Sequence, residues 1–125
     1  MGENLFTDRE LDAMSVLWRL GSATVAEVRE GIDDALAYTT VLSILQTLEE
    51  KGSVRHESEG RAYRYFPTVA PEEAGDSAIG RIVDKIFHGA ADVLLAQLVS
   101  SRKIPPDQLE RMRALLDSHI EEEGP

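Results

Sequence analysis

Besides Tyr38, five side chains in the stretch AYTTVLSILQTLEEKG (residues 37–52) carry hydrogen-bonding groups and no charge: Thr39, Thr40, Ser43, Gln46 and Thr47. Helical spacing gathers them on one side of a helix whose other side carries Val41, Ile44, Leu45 and Leu48. Hydroxyl and carboxamide groups both donate and accept, so this face suits the edges of base pairs. Gln can pair with adenine, and a Thr methyl can touch the thymine methyl. A solvated helix face would more often carry Glu and Lys, and a carboxylate there would repel phosphate. The plainer alternative is a surface that simply tolerates Thr and Ser.

The stretch that follows, KGSVRHESEGRAYRYF (residues 51–66), tips the choice. It holds Lys51, Arg55, Arg61 and Arg64 against Glu57 and Glu59, with His56 in addition. Cations beside a neutral reading face supply the phosphate attraction that the face lacks. The formal net charge of the whole chain is -10, which taken alone argues against a polyanionic partner. The excess acid lies elsewhere, at Asp33–Asp34, Glu72–Glu73 and Glu121–Glu123.

Other chemistries find little support. His56, His88 and His119 are far apart and lack the close pairing of metal-ligand motifs. Each fits a surface or structural role, so no metal and no cofactor are expected. Ser100 and Ser101 sit in no nucleophile motif, and no Gly-rich phosphate loop follows a strand. The paired acids are adjacent in sequence, which suits solvated or capping positions. No enzyme is expected. The chain has no cysteine, which excludes disulfides and thiolate metal sites and fits a reducing cytoplasm. MGENLFTDRE lacks a basic start followed by an apolar run, so no signal peptide is expected, and no apolar run approaches the roughly 20 residues of a membrane span. A cytoplasmic protein with no membrane partner is expected.

The elements that must position these residues can be read in order. Thr7 with Glu10, and Thr24 with Glu27, have the spacing of capping boxes, so helices begin after each threonine. The first helix carries a stripe of Leu11, Met14, Val16, Leu17 and Trp18 toward a core and stops at Gly21; the second turns Val25, Val28 and Ile32 inward. The third begins at Tyr38 or Thr39 and ends near Lys51–Gly52. Beyond Gly52 the period changes to two, and residues 53–67 read as a β-hairpin turning at 59–61. Three helices and a hairpin make a winged helix-turn-helix, whose third helix enters the major groove while the wing grips backbone.

Residues 67–78, PTVAPEEAGDSA, read as a linker. Three further helical stripes follow: Ile79, Ile82, Val83, Ile86 and Phe87; Val93, Leu94, Leu95, Leu98 and Val99; and Leu109, Met112, Leu115, Leu116 and Ile120. The tail EEEGP is expected to fray. So short a segment cannot bury this much apolar surface on itself. Packing against a second copy would, and a two-fold dimer is the commonest arrangement; folding back onto the first domain is the alternative. The expected fold is mainly α with a small β-hairpin. It comprises a winged helix domain (1–68), a linker (69–78) and a helical dimerisation domain (79–125). Ile82, Ile86, Phe87, Leu94, Leu95, Leu98, Leu109, Met112 and Leu116 lie in the expected interface.

The stretches LFTDRELDAMSVLWRLGSATVAEVRE, AYTTVLSILQTLEEKGSVRHESEGRAYRYFPTVAPEEA and DKIFHGAADVLLAQLVSS together give the chain a resemblance. It resembles the BlaI/MecI/CopY family of penicillinase and methicillin-resistance repressors over nearly its whole length. The resemblance implies a homodimeric repressor on inverted-repeat double-stranded DNA operators. It places base contacts at Thr39, Thr40 and Ser43, with Gln46 and Thr47 nearby, and backbone contacts at Arg61, Arg55 and Arg64. Two departures matter. The copper-sensing branch carries a C-terminal cysteine cluster, and this chain has none. The β-lactam branch is switched by cleavage at an Asn–Phe bond, where this chain aligns Gln97–Leu98; a sensor or protease partner is left open. The competing expectation is a winged-helix protein-interaction module that never touches DNA. A lesser one is a ligand pocket lined by Tyr63, Tyr65 and Phe66.

Overall fold

A computed structural model describes residues 5–124. The expected absence of a leader and the end of the tail fall partly outside that range, on residues 1–4 and 125. The elements run α1 (Asp8–Leu20), β1 (Ala23–Thr24), α2 (Val25–Gly31), α3 (Tyr38–Glu50), β2 (Val54–Glu59), β3 (Ala62–Pro67), α4 (Pro71–Lys85), α5 (Ala91–Ser101) and α6 (Pro106–Glu123). The chain divides into two compact units between Arg81 and Ile82.

In the first unit both capping boxes form. The Thr7 hydroxyl accepts from the Glu10 amide at 3.1 Å, and Glu10 Oε1 accepts from the Thr7 amide at 2.9 Å. Thr24 and Glu27 repeat the exchange at 3.2 and 2.9 Å. Gly21 ends α1 at φ 86°, where its amide donates to the Leu17 carbonyl at 2.7 Å. The helices bury Met14, Val16, Leu17, Val28, Val41, Leu45 and Leu48 together with Tyr65 of β3. Leu11, expected inward, is exposed, because the inward arc of α1 is filled by Ala13, Met14, Val16 and Leu17. Trp18 is half-buried, and its indole N–H donates to the Val69 carbonyl at 2.8 Å, fastening the chain after the hairpin to α1.

The sheet has three strands in the order β1-β3-β2, all antiparallel. Sequence pattern predicts only the hairpin. The two residues of β1 are too few to show alternation, and they become a strand by pairing Ala23 with Tyr65 and Thr24 with Arg64. Strand alternation sorts the wing by face: Arg55, Glu57, Arg64 and Phe66 on one side, His56, Tyr63 and Tyr65 on the other.

The segment read as a linker over 69–78 is helical from Pro71. Proline suits the first turn of a helix, where its missing N–H costs nothing, and Glu72 and Glu73 favour the positive end of the helix dipole. Glu73 also accepts from the Ala70 amide at 3.2 Å. The helix stops at Lys85, so Ile86 and Phe87 lie past its end. In the second unit α6 continues through Glu123, so the acidic tail is helical where fraying was expected. Neither α5 nor α6 contains a buried residue.

Two sites in the first unit yield tests. A Cβ on Gly31 would lie 2.9 Å from both Val16 methyls and 3.0 Å from Arg19 Nη2. Alanine ordinarily gains about 1 kcal/mol over glycine in a helix, but overpacking costs about 1–3 kcal/mol. Gly31→Ala is therefore expected to lower stability in urea unfolding; a gain would show that α1 yields without cost.

Glu10 is buried and its Oε1 lies 2.6 Å from Lys51 Nζ. Burial opposes its ionisation, but the hydrogen bonds from Lys51 and the Thr7 amide outweigh burial, and its pKa falls below the ordinary value. A depressed carboxyl stabilises the fold above the unfolded-state value and loses that contribution as pH falls through the folded one. Glu10→Gln keeps an acceptor for Thr7 but loses the charge, and is expected to cost about 1–3 kcal/mol near neutrality. The deficit should shrink as pH falls below the ordinary carboxylate range and the parent protonates; a deficit independent of pH would exclude the ionic contribution.

Candidate nucleic-acid interface

α3 buries Val41, Leu45 and Leu48, and this anchoring fixes its rotation. Thr39, Thr40, Ser43, Gln46 and Thr47 are all exposed. The start of α3 differs from those of α1 and α2. Its cap residue is Ala37, no side chain caps it, and no acidic residue lies in its first turn. Its leading amides are thus left to outside acceptors, at the end of the helix that favours anions. Tyr38, 45% exposed, stands at the same end. Neither Tyr38 nor these amides stand out in the sequence pattern; the signal is the missing S/T-x-x-E spacing that both earlier helices possess.

The wing is tied to the far end of α3. His56 Nδ1 lies 2.6 and 2.8 Å from the two Glu49 carboxylate oxygens. Its ring packs against Tyr63, with centroids 4.5 Å apart, and Tyr65, 5.5 Å apart. Tyr65 is 1% exposed, and burial, with Glu49 nearby, raises its pKa. The aromatic run therefore packs: Tyr65 into the core, Tyr63 on His56, and Phe66 beneath the Arg55 guanidinium at 4.2 Å.

The four cations expected to meet phosphate stand in different surroundings. Lys51 bonds Glu10 and the Leu5 carbonyl, the latter at 3.2 Å, so it is committed to the fold. Arg55 pairs with Glu57 at 2.5 Å. Arg64 reaches Glu59, Glu27 and Ser22. Its hydrogen bond to Glu59 holds that carboxyl below its ordinary pKa and raises its own. Glu27 is lowered chiefly by the Thr24 amide, with Arg64 adding to it. Arg61, at the turn with Gly60 (φ 63°), is exposed and has no ion pair or hydrogen bond among the described residues.

The second unit presents apolar side chains. Ile82, Ile86, Leu98, Leu109 and Leu116 are exposed, while Phe87, Leu94, Leu95 and Met112 are half-buried. Ile86 and Ile120 reach 63% and 68% exposure. Gln97 and Leu98 lie exposed within α5. Among the described residues no helix is long and apolar enough to cross a membrane, and no group of three side chains could hold a metal ion.

Comparison with known proteins agrees with this geometry. The family profile named Penicillinase repressor matches residues 6–118. The Penicillinase repressor of Bacillus licheniformis is 20% identical over 115 residues, 90% of each chain. Transcriptional regulator BlaI of Mycobacterium tuberculosis is 31% identical over 116 residues, 87% of this chain and 80% of that one. The solution structure of the DNA binding domain of the repressor BlaI superposes with a TM-score of 0.51 at 27% identity. It covers 57% of this chain and 89% of its own. The chain belongs to the penicillinase repressor family, a family of DNA-binding transcriptional repressors and not of enzymes.

Proposed function

We propose that the protein represses transcription as a homodimer on inverted-repeat operators. The exposed, uncharged face of α3 carries this reading. Thr39, Thr40, Ser43, Gln46 and Thr47 contact base edges, where neutral donors and acceptors discriminate sequence. The uncapped, acid-free start of α3 supports a phosphate contact through its leading amides. Arg61 supplies the wing's contact with the DNA backbone, and Arg55 can add one by leaving Glu57, since exposed ion pairs hold by at most about 1 kcal/mol.

The apolar faces of α4, α5 and α6 support the dimer. Ile82, Ile86, Phe87, Leu94, Leu95, Leu98, Leu109, Met112 and Leu116 would be covered by the same residues of a second copy. Each Å² of apolar surface removed from water is worth about 25 cal/mol, so a face of this kind favours closure by a partner. A symmetric dimer presents two reading helices related by a two-fold axis, and the matching DNA is an inverted repeat.

Selection from a random DNA pool should therefore enrich sequences with two-fold symmetry; enrichment of a single asymmetric half-site would sink the inverted-repeat reading. On the selected duplex, Thr40→Ala should change which base is preferred, at roughly 1–3 kcal/mol for one base-specific interaction. Arg61→Ala should weaken all sequences alike and flatten the salt dependence. The expected change in slope is about 0.9 for each phosphate no longer neutralised, hence about 1.8 for a dimer. If both variants bind every duplex as the parent does, the site assignment is wrong.

Sedimentation at micromolar concentration should give twice the chain mass of 13.8 kDa. Truncation after residue 78 should leave a monomer with weaker operator binding, because the avidity of two linked half-sites is lost. A full-length chain that sediments as a monomer would remove the dimer from the proposal.

A further inference from the structure

We infer that Arg64 is a positioning residue: it clamps the tip of the wing to the start of α2 and does not itself contact phosphate. The inference rests on the reading of the wing as a grip on the DNA backbone. It reassigns one of the cations that the sequence placed in that grip.

Arg64 sits in β3, the central strand, with Thr24 of β1 opposite on one side and Glu57 of β2 on the other. Its side chain is 26% exposed and its guanidinium is divided among three partners. Nε and Nη2 donate to the two oxygens of Glu59 at 2.9 and 3.1 Å. Nη1 lies 3.2 Å from Glu27 Oε1 and donates to Ser22 Oγ at 3.3 Å. These four interactions leave one of the group's five N–H donors uncommitted, so a two-pronged grip on phosphate would have to displace a carboxylate already in place. Exposed ion pairs are usually weak, but bidentate geometry and membership of a network are the two conditions under which they count. Arg64 meets both.

The location of its partners gives the clamp a purpose. Glu59 is the last residue of β2 and directly precedes the Gly60–Arg61 turn. Glu27 and Ser22 belong to the α2 start and the α1–α2 connection, which the core holds rigid through Ala23, Val25 and Val28. By joining Glu59 to them, Arg64 fixes the point from which Arg61 springs. Arg55 makes a useful contrast: one carboxylate partner, one ring beneath it, and a side chain 55% exposed.

Lysine distinguishes a clamp from a phosphate contact. An ammonium can serve a phosphate as a point charge, but it cannot reproduce a planar fork spread over Glu59, Glu27 and Ser22. Binding of the full chain to a labelled duplex of mixed sequence is measured against salt, below the melting temperature of every variant. Arg61→Ala should flatten the salt dependence and Arg61→Lys should restore it. Arg64→Ala should weaken binding roughly tenfold with an unchanged slope, as expected if ordering the tip costs the equivalent of about one residue's backbone freedom. Arg64→Lys should fail to restore the affinity. A flattened slope in Arg64→Ala with recovery in Arg64→Lys would make Arg64 a phosphate contact and overturn the clamp, as would undiminished binding. Amide order parameters from NMR relaxation of the DNA-free chain test the clamp separately. Order at Gly60 and Arg61 should fall in Arg64→Ala and in Glu59→Gln while α3 is unchanged; a tip as ordered as the parent's overturns the proposal. If Arg61→Ala leaves the slope unchanged, the wing reading fails, and the order parameters still decide the clamp.

Discussion

A chain with ten net negative charges can approach a polyanion only through a surface from which carboxylates are absent or on which they are already paired. The first unit meets that constraint in two ways. On the outer face of α3, acid is absent over Thr39, Thr40, Ser43, Gln46 and Thr47, although α1 and α2 both begin with acidic capping residues. On the wing, acid is present but answered: Glu57 by Arg55 and Glu59 by Arg64, while Glu49, near the C-terminal end of α3, is engaged by the His56 ring. Net charge therefore misleads for this molecule. What governs approach within the Debye length of about 8–10 Å is the local surface, and there Arg61 is a cation with no carboxylate partner among the described residues.

Paired charges serve the fold as well as the surface. Glu10 would be an expensive group to bury alone, and Lys51 makes the burial tolerable. In return the pair joins the start of α1 to the end of α3, so the helix that carries the proposed reading face is held at a site distant in sequence as well as by its own apolar side. That apolar side is narrow. Val41, Leu45 and Leu48 define it, and a turn of the helix by a single residue would exchange Leu45 for Gln46 in the core. Burying an unsatisfied carboxamide while exposing a leucine costs several kcal/mol by any accounting, which is why the uncharged polar face has one orientation.

How much of this was legible depended on the range of each interaction. Thr7–Glu10 and Thr24–Glu27 were readable because a capping box closes within four residues, and both formed as spaced. The exposure of the α3 face was readable because a helical period needs only local sequence. Partners far along the chain were not. Lys51 reaches Glu10 across 41 positions and Arg64 reaches Ser22 across 42, so both looked like free cations in a basic stretch. β1 was invisible because two residues carry no period and only the edge of β3 makes them a strand. The segment after Pro67 misleads through its prolines: Pro71 begins a helix, and the two glutamates that suggest a solvated linker are the residues that stabilise its first turn.

The second unit follows a different logic, because its apolar residues are not spent on its own interior. α5 carries Val93, Leu94, Leu95, Leu98 and Val99 within eleven residues and buries none of them fully. In α6, Leu109, Met112 and Leu116 fall at intervals of three and four and make a seam, while Leu115 and Ile120 widen it. A seam of this kind is marginal in an isolated chain and becomes a core once faced by its like. In the proposed dimer, folding of this unit and association are then one equilibrium, and its stability depends on protein concentration. Under that proposal, occupancy of an operator would inherit the dependence: at low concentration the chains would separate and each α3 would bind alone, without the avidity of the pair. Any event that disturbs the seam, whether cleavage near Gln97–Leu98 or a partner that covers Leu109 and Leu116, would lower occupancy without touching a residue of the reading face.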